Sequence, residues 1–297
     1  RMSQKKKKWP PASIVIASYN NYNTLEKVLN KMLKLDYPKY EINVIYDGDI
    51  KGAKEIVEKY KKYKIIKHHL NKKNLGVCKT RNKGIEMSKY NYVVNMDHDC
   101  IPVKNWLKKI MIGFSDPKVG VVSSYTYYGG TSTAFRKELL EQVGGGYDLD
   151  YNYYREDTDL SFKIMDLGYK FKLVKADFEH DHLEVKPKGP KGMFDYVMKR
   201  LKYHQNDVLL YKKHPTKLCK KFLKIRAGFL VSPYADFSVA TGLWQGRFNL
   251  SSPRGIVFMK SNTWWKKVAI ILAGIIYVIL VKLSRLIGSI KHGKLLI

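Results

Sequence analysis

Over the first 175 or so residues, short continuous apolar runs alternate with segments in which apolar residues recur every three or four positions. Ser13-Ile-Val-Ile-Ala17 predicts a strand buried on both faces; Glu41–Tyr46, Lys64–Lys67 and Tyr92–Met96 predict three more. Between the first two, Leu25, Val28, Leu29, Met32 and Leu33 make one helical face, and Asn23 with Glu26 has the spacing of a capping box. Further helices are predicted over about 51–62 and 77–89. Strands alternating with helices imply the α/β class, with a parallel, Rossmann-like sheet covered on both faces. Ligands of such sheets bind beyond the carboxyl ends of the strands, so the residues just after each strand carry the interest.

The last third has a different pattern. Met193, Val197, Leu201, His204, Val208 and Tyr211 fall on one helical stripe flanked by lysines, which predicts a single cationic amphipathic helix from Met193 to about Lys213. Val268–Val281 is 14 residues without a charge, about 21 Å as a helix and shorter than a hydrocarbon core of about 30 Å. Trp264-Trp265-Lys266-Lys267 precede it, as at a membrane interface. Two arrangements are expected: a tilted span with Lys282 and Arg285 snorkelling, or a re-entrant hairpin in one leaflet.

Composition sharpens this division. The chain has 297 residues, 55 of them Lys or Arg against 26 Asp or Glu, for a formal charge of +29, and 45% hydrophobic residues exclude a disordered basic tail. Residues 1–185 carry a net charge of +10. Residues 186–297 carry +19, with Asp195, Asp207 and Asp236 as their acids. The basic residues are 46 Lys and 9 Arg, and the surplus adjoins an apolar segment. Both features favour an anionic membrane surface over nucleic acid, where Arg forks read bases. Cys78, Cys100 and Cys219 are few and far apart, against a disulfide framework or a thiolate metal site. The Lys5–Lys8 run has no apolar core behind it, so no secretory leader is expected.

The strand ends are polar throughout: Ser18-Tyr19-Asn20-Asn21, then Asp47-Gly48-Asp49, then Asp97-His98-Asp99. Turns favour these residues in any case. Two carboxylates one residue apart after an apolar strand, however, can both face one hard cation and leave positions open for phosphate oxygens.

These pieces, in this order, resemble the family 2 glycosyltransferases, inverting nucleotide-sugar enzymes of the GT-A fold. Ser13–Asn21 is similar to the family's opening strand and turn, Val44–Asp49 to its base-reading segment, and Asn74–Gly84 to the helix start before its metal motif. Asp97-His98-Asp99 is similar to the Asp-x-Asp itself. Gly130–Arg136 and Val143–Asp148 resemble the acceptor side, and Arg155–Leu160 the Glu-Asp motif. Tyr46 departs from the pattern by standing where an Asp is usual, so only Asp47 carries over and both UDP and GDP sugars stay open. The resemblance implies a nucleotide-sugar site of Ala17, Ser18, Tyr19, Asn20, Asp47, Asn74, Gly76, Arg81, Asp97 and His98. It implies Mg²⁺ or Mn²⁺ held by Asp97 and Asp99 with His180 or His182, and Asp157 as catalytic base with Glu156 beside it. Arg81 is expected to reach phosphate or the Asp-x-Asp; His68, His69 and His204 are expected to be structural.

The expected organisation is a GT-A catalytic domain over 12–185, a basic amphipathic membrane-interface region over 186–260 and a hydrophobic anchor over 261–297. By analogy the acceptor is a lipid-linked glycan or a polyprenyl (dolichyl) phosphate, met at the cytoplasmic face of the cell membrane. A polyprenyl-phosphate monosaccharide synthase is the nearest alternative; a basic nucleic-acid- or membrane-binding module is the alternative without catalysis.

Overall fold

The computed structural model describes residues 9–181, 186–252 and 256–297. The chain divides into two compact units, Arg1–His182 and Leu183–Ile297.

In chain order the first unit contains β1 (Ala12–Ser18), α1 (Tyr22–Met32), β2 (Tyr40–Asp47), α2 (Ile50–Tyr60), β3 (Ile66–Asn71), α3 (Val77–Met87) and β4 (Tyr92–Asn95). It continues with β5 (Cys100–Pro102), α4 (Trp106–Ile112), β6 (Val119–Ser123), β7 (Thr133–Arg136), α5 (Lys137–Gln142), α6 (Glu156–Asp166), β8 (Lys170–Leu173) and β9 (Phe178–His180). Seven strands form one sheet in the order β3-β2-β1-β4-β7-β6-β8. The sheet is mixed rather than wholly parallel, because β7 runs antiparallel to both β4 and β6. β1 lies between β2 and β4, and Ile14, Val15 and Ile16 are buried, as its uninterrupted apolar run requires. The chain winds from β1 through β2 to β3, then returns to place β4 on the other side of β1. The crevice at the carboxyl ends of β1 and β4 is therefore a topological switch point. α3 comes close to the sheet at Gly84, where a Cβ would stand 2.3 Å from Val15 and 2.7 Å from Ile45.

Two local expectations are corrected. The first helix follows Asn21, whose Oδ1 accepts from the Thr24 hydroxyl but from no helix N–H; no capping box forms, and Glu26 instead pairs with Lys59 of α2 at 2.6 Å. The third strand begins at Ile66, later than Lys64–Lys67 predicts, since pairing with β2 fixes its register from Ile42↔Ile66 to Asp47↔Asn71.

The second unit contains α7 (Gly189–Tyr203), α8 (Gln205–Lys213), α9 (Lys217–Phe222), the hairpin β10 (Ile225–Arg226) and β11 (Leu230–Val231), α10 (Pro233–Ala240), the hairpin β12 (Asn249–Ser251) and β13 (Val257–Lys260), and α11 (Trp264–His292). The single helix expected from Met193 to Lys213 is two, separated at His204. His204 faces Asp207 at 3.2 Å and Tyr277 at 3.3 Å, as a structural histidine.

α11 has 29 residues, about 43 Å, and a mean hydropathy of 2.3 in its most apolar stretch. Among the described residues it is the helix long and apolar enough to cross a membrane. It runs uninterrupted, so no re-entrant hairpin forms. Nor does Arg285 snorkel: it is buried, and α11 packs along α7, α8 and α10.

Candidate active site

Three strand ends, the loop into α3 and α3 itself, the head of α6 and β9 supply the predicted residues, most of which the structure gathers into three groups. In the first, the Asp47 carboxylate accepts from Asn71 Nδ2 at 3.0 Å and from the backbone N–H groups of Leu75 at 2.8 Å and Gly76 at 3.0 Å. Asn74 Oδ1 also accepts from Gly76 N–H, at 3.1 Å. Asp47 thus fastens the loop before α3 to the end of β2. Gly48, at φ +99°, lets that loop pass: a Cβ there would lie 2.4 Å from the Asn74 nitrogen. Asp49 caps α2 through Gly52 N–H at 3.3 Å. Tyr46, where the family pattern has an Asp, is buried in the core and bonds through its hydroxyl to His68 Nδ1 at 2.9 Å.

Arg81 centres the second group. Buried on α3, it donates to Asp97 Oδ1 at 2.8 Å and Glu156 Oε1 at 3.3 Å, and lies over the Tyr147 ring at 5.2 Å. It therefore reaches the Asp-x-Asp, one of its two expected partners. Asp97 N–H donates to Thr131 Oγ1 at 2.9 Å. Tyr147 is held by reciprocal bonds with Asn82, at 2.8 and 2.7 Å. Glu156 and Asp157 open α6, where the helix dipole favours carboxylates, preceded by Tyr154 and Arg155 with φ of 74° and 78°. Non-glycine residues in that region are strained, a condition concentrated at functional sites. Gly129 passes directly over Asp157, as a Cβ there would come within 2.7 Å of it.

Burial and the Asp157 charge raise the Glu156 carboxyl from its ordinary 4.5 to about 7, against the pull of Arg81. Asp157 is raised too, by burial foremost, with Arg81 and the Thr158 and Gly130 backbones opposing. Glu156 Oε2 is buried with no hydrogen-bond partner among the described residues. A carboxyl raised in the fold stabilises it fully below its unfolded pKa and loses that contribution as pH rises through the folded value. Glu156→Gln is therefore expected to raise stability at pH 8 by on the order of 2 kcal/mol and to change it little near pH 4. Paired thermal melts at the two values check this, and equal shifts at both would refute it.

The third group is Asp99, Cys100 and His180, whose ligand atoms lie within 4.8 Å of one another; His180 Nε2 is 3.5 Å from Asp99 Oδ2. Antiparallel pairing of β5 with β9 sets Cys100 opposite His180 and brings them together. Burial pushes the Cys100 thiol up and keeps it protonated, which leaves Asp99 and His180 as donors. With Asp97 close in sequence, oxygen donors and an imidazole suit Mg²⁺ or Mn²⁺. His182 lies outside the described residues.

Ser18 ends β1, its hydroxyl buried with no partner among the described residues, while Ala17 is half-buried and Tyr19 and Asn20 are exposed, Asn20 at φ 56°. His98 is half-buried. Sequence reasoning passed over Thr131, Tyr147 and Asn71. The first two lie in segments the resemblance marks, but only the folded contacts give them roles.

The sequence profile described as glycosyl transferase family 2 matches residues 13–182. Over 140 residues the chain is 31% identical to glycosyltransferase AglE of Haloferax volcanii, covering 45% of this chain and 46% of that protein. Over 196 residues it is 34% identical to the poly-beta-1,6-N-acetyl-D-glucosamine synthase of Staphylococcus epidermidis, covering 54% and 47%. The chain thus spans about half the length of the curated relatives it matches. Among solved structures, the mannosyltransferase PcManGT from Pyrobaculum calidifontis, in complex with GDP-Man and Mn²⁺, has a TM-score of 0.61 at 17% identity. The likeness covers 94% of this chain and 88% of that one, and is one of fold.

Proposed function

The chain belongs to glycosyl transferase family 2, and from that premise we propose that it moves a sugar from a nucleoside-diphosphate donor to a lipid-linked acceptor at a membrane, with inversion at the anomeric carbon. The observation that carries this is the Arg81 bridge between Asp97, at the end of β4, and Glu156, at the head of α6. It joins the place where a diphosphate would sit to the place where a base is needed.

Residues 12–185 form the proposed catalytic domain, with Ala17–Asn20, Asp47, Asn74 and Gly76 along the nucleoside and Arg81, Asp97 and His98 near the diphosphate. Mg²⁺ or Mn²⁺ held by Asp97, Asp99 and His180 would offset the charge of the departing diphosphate. Arg81 adds a fixed positive charge on the same side. The acceptor oxygen bonds to the anomeric carbon as the bond to the diphosphate breaks. Its proton passes to Asp157, and the bonding pair leaves with the nucleotide. Glu156 holds Arg81 in place beside that base. The lysine-rich 186–260 region and the 261–297 segment would keep this unit at the cytoplasmic face, among anionic headgroups.

A thermal-shift panel of UDP, GDP and their sugars with Mn²⁺ tests the donor site. A ligand at 100 times its Kd is expected to stabilise by about 2.7 kcal/mol, provided it binds only the folded chain. Stabilisation by none of them would overturn the proposal.

A further inference from the structure

We infer that α11 lies in the plane of one leaflet of an anionic bilayer rather than crossing it, with the second unit seated on the surface as a monotopic membrane module. This deepens the membrane placement proposed above and rests on that reading.

α11 is built inside out. Leu272, Ile275, Ile279, Leu283, Ile287 and Ile290 make one continuous exposed stripe, and Ile290 is 79% exposed. The opposite face carries the helix's small and polar groups and is covered by protein. Gly274 sits against Phe237 of α10 and Thr241 just after it, where a Cβ would come within 2.7 and 2.8 Å. Ser284 donates to the Leu201 carbonyl of α7 at 2.6 Å. Gly288 faces Gln205 and Val208 of α8, each 3.0 Å from where a Cβ would stand. A core helix of a water-soluble unit is mostly covered, but only 28% of the most apolar stretch of α11 is buried.

The cover decides between crossing and lying flat. From Gly274 to Ser289 the inner face extends about 22 Å along the axis, and protein accompanies it over that distance. α7, α8 and α10, which supply that cover, have 15, 9 and 8 residues. About 20 are needed to cross hydrocarbon. The two-stranded sheet β12–β13 also packs on α11. Were α11 to stand across the bilayer, these short helices, their connecting loops and an open two-stranded edge would lie at hydrocarbon depth. Backbone of that kind is not tolerated facing lipid. Lying flat, α11 presents its stripe to the acyl chains and keeps its covered side toward water.

Charge complementarity identifies the occupant. Two of the three acids after residue 185, Asp207 and Asp236, are buried on Arg285. Among the described residues, the charges this unit presents are thereby almost all positive. Exposed Trp264 and Trp265 stand at the start of the stripe with Lys266 and Lys267, as expected at a headgroup boundary.

The test uses the full chain, with single cysteines placed along the stripe (Leu272→Cys, Ile275→Cys, Ile279→Cys, Leu283→Cys, Ile290→Cys) and spin-labelled. Cys78, Cys100 and Cys219 are buried. Binding to phosphatidylcholine vesicles containing phosphatidylglycerol is expected, weaker without phosphatidylglycerol and weaker with added salt. Label depths are expected to be shallow and nearly equal, about 5–10 Å below the headgroup boundary at every position. Depth that peaks in mid-helix and falls toward both ends would overturn the inference in favour of a span. Labels that stay out of lipid and couple to one another between two copies would overturn it in favour of a dimer. Nucleotide-induced stabilisation, read separately, fails only if the donor-site reading fails.

Discussion

Asp157→Asn is expected to lower kcat by about 10²–10⁴-fold while leaving the KM for the nucleotide sugar within a few-fold of the parent. The substitution keeps the shape of the side chain and an oxygen to accept the Thr158 N–H, now 2.8 Å away, so α6 keeps its start. What is lost is the group proposed to take the acceptor's proton. Burial raises the Asp157 carboxyl, so the acidic limb of kcat in the parent enzyme is expected above the ordinary carboxylate range and absent in the variant. Steady-state kinetics over pH 5–8.5 read both quantities. Turnover within tenfold of the parent, with the limb unchanged, would remove Asp157 as the base and leave Glu156 as the next candidate.

Arg285→Met is expected to destabilise the second unit by about 3–5 kcal/mol, the usual result of removing one partner of a buried ionic cluster. The guanidinium is bidentate to Asp236 at 2.7 and 2.8 Å, and it donates through Nε and Nη2 to Asp207 Oδ2, at 3.1 Å each. Lys282 stands 3.1 Å from Asp236 and His204 3.2 Å from Asp207. Without Arg285, two carboxylates stay buried with incomplete compensation. The triple variant Asp207→Asn/Asp236→Asn/Arg285→Met is expected to recover most of the loss, since the cost lies in the unpaired charges rather than in missing volume. Chemical unfolding of the three proteins checks this. A loss below about 1 kcal/mol for Arg285→Met would place the cluster in the class of weak surface pairs. Nucleotide-induced stabilisation is expected to persist in both variants, because no donor-site residue is altered.

These two residues show how differently sequence can speak. Asp157 stands out in the sequence as a candidate because it sits in a local string, Arg155–Leu160, whose order resembles a family motif. Its chemistry depends on neighbours in that string and on the head of one helix. Arg285 is different, because nothing local distinguishes a snorkelling arginine from a buried one. Its partners are 78 and 49 residues away, and only packing of α8 and α10 on α11 brings them to it. The same distinction separates Asp47 from Tyr147. Turn chemistry marks Asp47 at the end of β2, although its carboxylate proves to hold a loop. Tyr147 becomes part of the site only when α3 sets Asn82 and Arg81 against it.

The sequence by itself determined the alternation of strands and helices, the polar strand ends, the Asp-x-Asp and the crowding of positive charge beside an apolar segment. Each is a matter of residue type at short spacing, which local sterics and hydrophobic periodicity govern. The tertiary structure alone decided that β7 turns antiparallel and that Arg81 bridges Asp97 to Glu156. It also decided that His180 meets Asp99, and that Val268–Val281 belongs to a 29-residue helix with polar groups inward. Those outcomes depend on contacts across tens of residues, where burial and charge pairing select one arrangement among several that the local pattern allows.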